Sequence, residues 1–281
     1  MKKESHSGST TSLIVRWMVY LATFLTFGSL LYIIFFILVR GIPYISPEIF
    51  SWQFNSSNQS LMPSLITTIV LVGLTLLVAT PIGVFTGVYL VEYADRTSKI
   101  TQTISMATDT LQAVPSIVYG LFGMLFFRNT LGFGYSLLSG VLTVTIMVLP
   151  LIIRSTEEAM ISVDRSLREA SFGLGAGKLR TIFQVVLPVA MPGIISGVIL
   201  ASGRVIGETA ALIFTLGTAP NMATGLFQTG RTMAVHMYVL TNEGRHVDKA
   251  FATAVVLILF VILVNALANW ISDKILQTGA K

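Results

Sequence analysis

Cysteine is missing from all 281 residues, which excludes disulfides and thiolate chemistry and assigns no compartment. Charge is scarce. Asp, Glu, Lys and Arg together make up 11% of the chain, less than half of the roughly 25% typical of a soluble domain. Histidine occurs only as His6, His236 and His246. These share no ligand spacing, are expected in a tail or loops, and give no metal site. The formal net charge is +5, yet the basic residues form no stripe of the kind that binds nucleic acid.

What fills the chain is hydrocarbon. Hydrophobic residues make up 53% of it and the mean hydropathy is +0.79. The few charges cluster, leaving apolar runs long enough to cross a hydrocarbon core of about 30 Å. This predicts an all-α membrane protein with six transmembrane helices. The spans are Trp17 to Val39, Ser64 to Val91, Ile104 to Phe127, Tyr135 to Ile153, Val189 to Leu216 and Phe251 to Ile271. Pro81, Pro115, Pro150 and Pro192 fall inside them, which a bundle can absorb. Residues 1–12 are polar and read as a disordered cytoplasmic tail, and residues 13–281 as a single transmembrane domain. The first span is too long for a signal-peptide core and reads as retained. Of the 18 basic residues Arg204 lies within a span, Arg40, Arg128, Arg231, Arg245 and Lys249 fall on one side, and the other twelve on the opposite side. That bias puts both termini in the cytoplasm.

One polar island interrupts the apolar pattern on the cytoplasmic side, within a loop of about 160–188. Asp164 to Phe172 can form a short amphipathic helix with Ser162 as N-cap. Gly173, Gly175 and Gly177 break it, and Leu179 to Val186 leads back to the fifth span. The outcome is a protruding knob with small residues at its bend. Gly175-Ala176-Gly177-Lys178 has a superficial likeness to a phosphate-binding loop, which also needs Gly at 172 and Ser or Thr at 179. Phe172 and Leu179 stand there, so this run does not make a phosphate-binding loop.

The spacing of the knob carries a resemblance. Glu169-Ala170-Ser171, then Gly175, Val185 and Leu187-Pro188, resembles the EAA loop of type I ABC importer permeases, with Ser for the second Ala and Val for Ile. The resemblance implies that these seven residues dock on a separate ATP-hydrolysing subunit, which binds ATP and Mg; this chain then needs no cofactor and is not an enzyme. A secondary transporter would often show an inverted repeat, and the sequence has no convincing one.

The second feature lies within the fifth span: Arg204, Gly207, Glu208 and Thr209. An arginine near a helix centre costs about 2.5–3.5 kcal/mol on insertion scales, and such residues face a cavity or a partner. Glu208, four residues on, can offset it, and Gly203 with Gly207 can admit a neighbouring helix. Two readings stay open on chemistry alone: a structural ion pair, or an anion contact in which guanidinium makes bidentate bonds. Arg204-x-x-Gly-Glu-Thr-Ala, the Pro115–Leu121 run and Asn265-x-x-Ala268 are similar to the phosphate-specific, PstA-type branch of the permease family. That resemblance implies a heterodimer with a PstC-like permease, surrounded by membrane lipid, together with two PstB-like ATPase subunits and an extracytoplasmic PstS-like phosphate-binding protein. The PstC-like subunit itself, or a permease for sulfate, molybdate or phosphonate, is the alternative.

Overall fold

The computed structural model describes residues 10–95, 97–244 and 246–279. The tail reading on residues 1–9 falls outside them. Among the described residues every regular element is helical. The long apolar helices are α1 (Thr10–Gly41), α2 (Met62–Glu92), α5 (Leu137–Ile161), α8 (Leu187–Gly207) and α11 (Val247–Gly279). Shorter ones are α3 (Lys99–Ala113), α4 (Ser116–Gly123), α6 (Arg165–Gly173), α7 (Lys178–Thr181), α9 (Ala210–Thr215) and α10 (Met233–Glu243). Five helices are long and apolar enough to cross a membrane, or six counting the bent pair α3–α4 as one span.

Two expected spans are broken. The third is not one straight helix over Ile104–Phe127: α3 and α4 meet at 103°. Proline disfavours α geometry in the residue before it, and Val114 accordingly lies at φ −68°, ψ 128° before Pro115. The buried Tyr119 hydroxyl donates to the Leu111 carbonyl at 2.8 Å and ties the two arms together. The fifth span, expected over Val189–Leu216, stops at Gly207. Glu208 is extended and α9 starts afresh at Ala210.

Lipid tails are as apolar as leucine, so helices in a bilayer associate through close packing and hydrogen bonds rather than by escape from water. The central helix is α5, with 67% of its apolar window buried, whereas the corresponding window of α1 has 0% buried. Gly83 and Gly87 of α2 supply the close approach. A Cβ on Gly83 would sit 2.7 Å from Ile152 Cγ2, and one on Gly87 2.7 Å from Thr156 Cβ. The expected close-approach pair, Gly203 and Gly207, has nothing within 4 Å of its Cβ positions. On α8 the close approach is made by Gly193 and Gly197, packed against Ala159 and Ser155 of α5. Buried Thr67, Thr68, Thr143, Thr156 and Thr215 return their hydroxyls to carbonyls one turn back, which satisfies those five side chains.

The segment 217–232 and α10 fold down onto the bundle. Thr67 Oγ1 accepts from Ala223 N at 3.3 Å, and Thr68 Oγ1 from Met233 N at 3.0 Å. His236 was expected in a loop and is fully buried in α10, edge-on to Phe54. The Arg231 guanidinium lies 4.8 Å over the same ring. Burial, with Arg231 adding to it, pushes the His236 pKa down from 6.5 to about 3. Burial likewise lowers Arg231 to about 10. Between those two histidine values the unfolded chain takes up a proton that the folded protein refuses. Stability is therefore complete above about pH 6.5 and declines as the pH falls toward 3. Thermal unfolding of the purified protein is expected to lose about 2 kcal/mol between pH 7 and 5 at this site, and His236→Phe should remove that part of the slope. An unchanged slope in the variant would sink the assignment.

Candidate functional site

The knob stands as a helical hairpin. Asp164, not the expected Ser162, is the N-cap of α6: its Oδ1 accepts from Ser166 N at 2.8 Å. That bond also holds the Asp164 carboxyl below the usual carboxylate range. Gly175 turns the chain at φ +82°, a conformation side chains disfavour. The return arm is α7 followed by a wide π-type turn, Ile182–Val186, that runs without a stop into α8. Pro188 causes no break there because it sits in the first turn of α8.

Of the seven knob residues, Glu169, Ala170, Gly175 and Pro188 are exposed, Val185 and Leu187 half-buried, and Ser171 buried. Ser171, the departure from the family pattern, shares a hydrogen bond of 2.8 Å with Thr181 across the hairpin. An alanine there would lose that link. Glu169 has no hydrogen bond or salt bridge among the described residues. Leu174, at the bend, is 91% exposed, and Phe172, Leu179 and Phe183 are exposed around it. An apolar tip beside a free carboxylate is a surface made to be covered. Ser171, Gly175, Arg180 and Val185 also line a hollow of about 250 Å³ on this hairpin.

Arg204 lies on the wall of a separate cavity of about 600 Å³, together with Ser196, Gly203 and Asn265 and the apolar Leu151, Ile199 and Leu200. It is half-buried and makes no hydrogen bond or salt bridge among the described residues. The expected ion pair with Glu208 does not form. The helix ends between the two residues, and the Glu208 Oε1 instead accepts from Ala211 N at 3.0 Å, capping α9. Glu208 is buried in that role, and Thr209 makes only a 3.4 Å contact to the Gly207 carbonyl. Asn265 reached the sequence argument only as part of a motif, and Ser196 not at all. No periodicity rule marks them, because α8 and α11 bring them together from afar. The Asn265 Oδ1 is buried without a hydrogen-bond partner among the described residues. A guanidinium without a counter-charge, in a mostly apolar wall with a hydroxyl and a carboxamide beside it, is suited to hold a tetrahedral oxyanion.

Arg154 behaves in the opposite way. Its guanidinium is held by Glu157 at 2.9 Å, Asp109 at 3.7 Å and Glu158 at 3.9 Å. Glu157 is itself buried. Three carboxylates leave this arginine no attraction to spare for an anion.

The chain belongs to the family of binding-protein-dependent transport system inner membrane components, whose sequence profile matches residues 79–277. It is a multi-pass membrane protein of the ABC importer permease type. It is 34% identical over 258 residues to a probable ABC transporter permease, YqgI, of Bacillus subtilis, covering 85% of this chain and 87% of that protein. It is 30% identical over 256 residues to the phosphate transport system permease protein PstA of Pasteurella multocida, covering 89% and 90%. A bacterial alginate ABC transporter, solved with an alginate pentasaccharide-bound periplasmic protein, shares the fold with a TM-score of 0.68 at 16% identity, covering 94% of each chain.

Proposed function

We propose that this chain is one permease subunit of an ATP-driven importer of inorganic phosphate in a bacterial or archaeal cytoplasmic membrane, with both termini in the cytoplasm. The observation that carries it is Arg204, which has no salt bridge among the described residues and lies in a cavity it shares with Ser196 and Asn265. Relatives named for phosphate transport support it. A second, PstC-like permease completes the path, a PstS-like binding protein delivers phosphate from outside, and two PstB-like ATPase subunits receive the knob.

The fold suggests how power reaches cargo. From Lys178 to Gly207 the chain forms one helical stretch of 30 residues, about 45 Å at 1.5 Å per residue. Its first turn belongs to the knob and its last turn carries Arg204. Closure of the ATPases around Glu169 and Leu174 would swing this rod and open the cavity to the opposite face. Glu208 and Thr209 hold the break at the rod's end, so the rod can tilt without dragging α9 rigidly with it.

The test is uptake of labelled phosphate by the reconstituted complex. Uptake should require ATP and the ATPase subunits, and excess sulfate should leave it within about twofold. Competition by sulfate at concentrations equal to phosphate would assign another oxyanion. ATP-independent uptake would end the importer reading altogether.

A further inference from the structure

We propose that Arg168 and Glu92 form the clamp through which movement of α6 reaches α2 and α5, making both positioning residues for coupling. The inference rests on the reading of the knob as the ATPase dock.

The Arg168 Nε and Nη2 donate to Glu92 Oε1 at 3.1 and 3.0 Å, across 76 positions of sequence. Its Nη1 donates to the Val163 carbonyl at 2.8 Å and its Nη2 to the Met160 carbonyl at 2.9 Å. Glu92 is the last residue of α2, and Met160 lies in the last turn of α5 with Val163 just beyond. The last carbonyls of a helix have no partner within it; the guanidinium caps the end of α5 through the Met160 carbonyl and ties it to the last residue of α2 through the Glu92 carboxylate. The side chains of Arg168 and Glu92 are 17% and 12% exposed. Sheltered charge-assisted bonds of this kind hold position better than surface pairs do.

A second observation shows why the clamp matters. A hollow of about 410 Å³ is walled by Val91 and Glu92 of α2, Ile161, Val163, and Arg165 and Phe172 of α6. In backbone terms α6 packs chiefly against the return arm of its own hairpin. The return arm in turn packs Ile182 and Val186 against Val88 of α2 and Ala159 and Met160 of α5, so apolar packing reaches the bundle through that arm, and Arg168 is the direct polar tie from α6 itself. The other arm has its own tie, Lys178 Nζ over the Tyr93 ring at 4.6 Å, again at the end of α2. Glu169, next to Arg168, also lines this hollow but stays exposed, whereas Arg168 reaches inward to Glu92. Lysine cannot replace this arginine, since an ammonium cannot hold a carboxylate and two carbonyls in one planar array.

The experiment uses the full complex in proteoliposomes and reads phosphate uptake, ATP hydrolysis and capture of the ATPase subunit. Arg168→Lys and Glu92→Gln should each lower the phosphate moved per ATP about fivefold or more, within the range for residues along a coupling route. Capture should stay intact. The double exchange Arg168→Glu with Glu92→Arg should regain part of the ratio, because the pair is restored while the carbonyl bonds are not. An unchanged ratio in either single variant overturns the clamp. So does a parallel fall of hydrolysis and uptake at constant ratio, the signature of a merely structural tie. If Glu169→Ala leaves capture and hydrolysis untouched, the dock itself is misassigned. If Glu169→Ala disrupts capture while the Arg168 and Glu92 variants stay fully coupled, the clamp alone fails.

Discussion

Arg204→Ala is expected to lower phosphate uptake about 100-fold or more while leaving the protein inserted and at least as stable as before. Removing one partner of a buried, hydrogen-bonded charge pair costs about 2–5 kcal/mol, and each 1.4 kcal/mol is about tenfold. Here the missing partner would be the anion itself. The stability half of the expectation separates the two readings that chemistry alone leaves open. Arg204 makes no hydrogen bond or salt bridge among the described residues, so alanine removes an uncompensated charge and its insertion cost of about 2.5–3.5 kcal/mol. A structural ion pair would behave in the reverse way, losing melting temperature on truncation. Arg204→Lys, which keeps the charge and loses the fork, should sit between wild type and alanine. Uptake and thermal unfolding measured on the same preparation decide the matter. Full uptake in the alanine variant, or a lowered melting temperature, would refute the anion role.

The second large effect is expected at the knob. Glu169→Ala combined with Leu174→Asp should weaken capture of the ATPase subunit by about 30-fold or more, the loss typical of central interface anchors worth 2 kcal/mol or more. Leu174 is 91% exposed in this chain, and its burial by a partner is what the substitution would prevent. Neither side chain supports the fold: Leu174 projects from the bend and Glu169 bonds to nothing among the described residues. Expression and melting temperature should therefore hold. Undiminished co-purification of the ATPase with the double variant would rule out this surface as the dock.

The membrane class and the knob are legible in the sequence because both write themselves in local runs: long apolar stretches, then glycines at fixed spacing after Glu169. The breaks were harder. Pro115 announces its own bend through Val114, yet a proline inside an apolar run is also tolerated in bundles. The stop at Glu208 has no proline, only Gly207 and the β-branched Thr209 on either side of it. With that stop unseen, the i,i+4 rule paired Arg204 with Glu208, and the carboxylate in fact caps α9. Helix α10 escaped because 11 residues are too few to span and its burial comes from tertiary contact with Thr68 and Phe54. Ser196, Asn265 and the Arg168–Glu92 pair are products of long-range packing. No local pattern records which distant helix a side chain will meet.

The packing of α1 has a consequence for the order in which the molecule is made. Its principal partner is α11, at the other end of the chain, and Gly41 lies hard against Phe251 and Val255. Some 210 residues separate Gly41 from Phe251. At a synthesis rate of about 5–20 residues per second, α1 waits about 10–40 s before its neighbour exists. During that interval lipid is its surrounding, which its mostly apolar, unburied surface suits. Helix α1 is thus made long before the neighbour it packs on, and this side of the bundle closes only when α11 arrives.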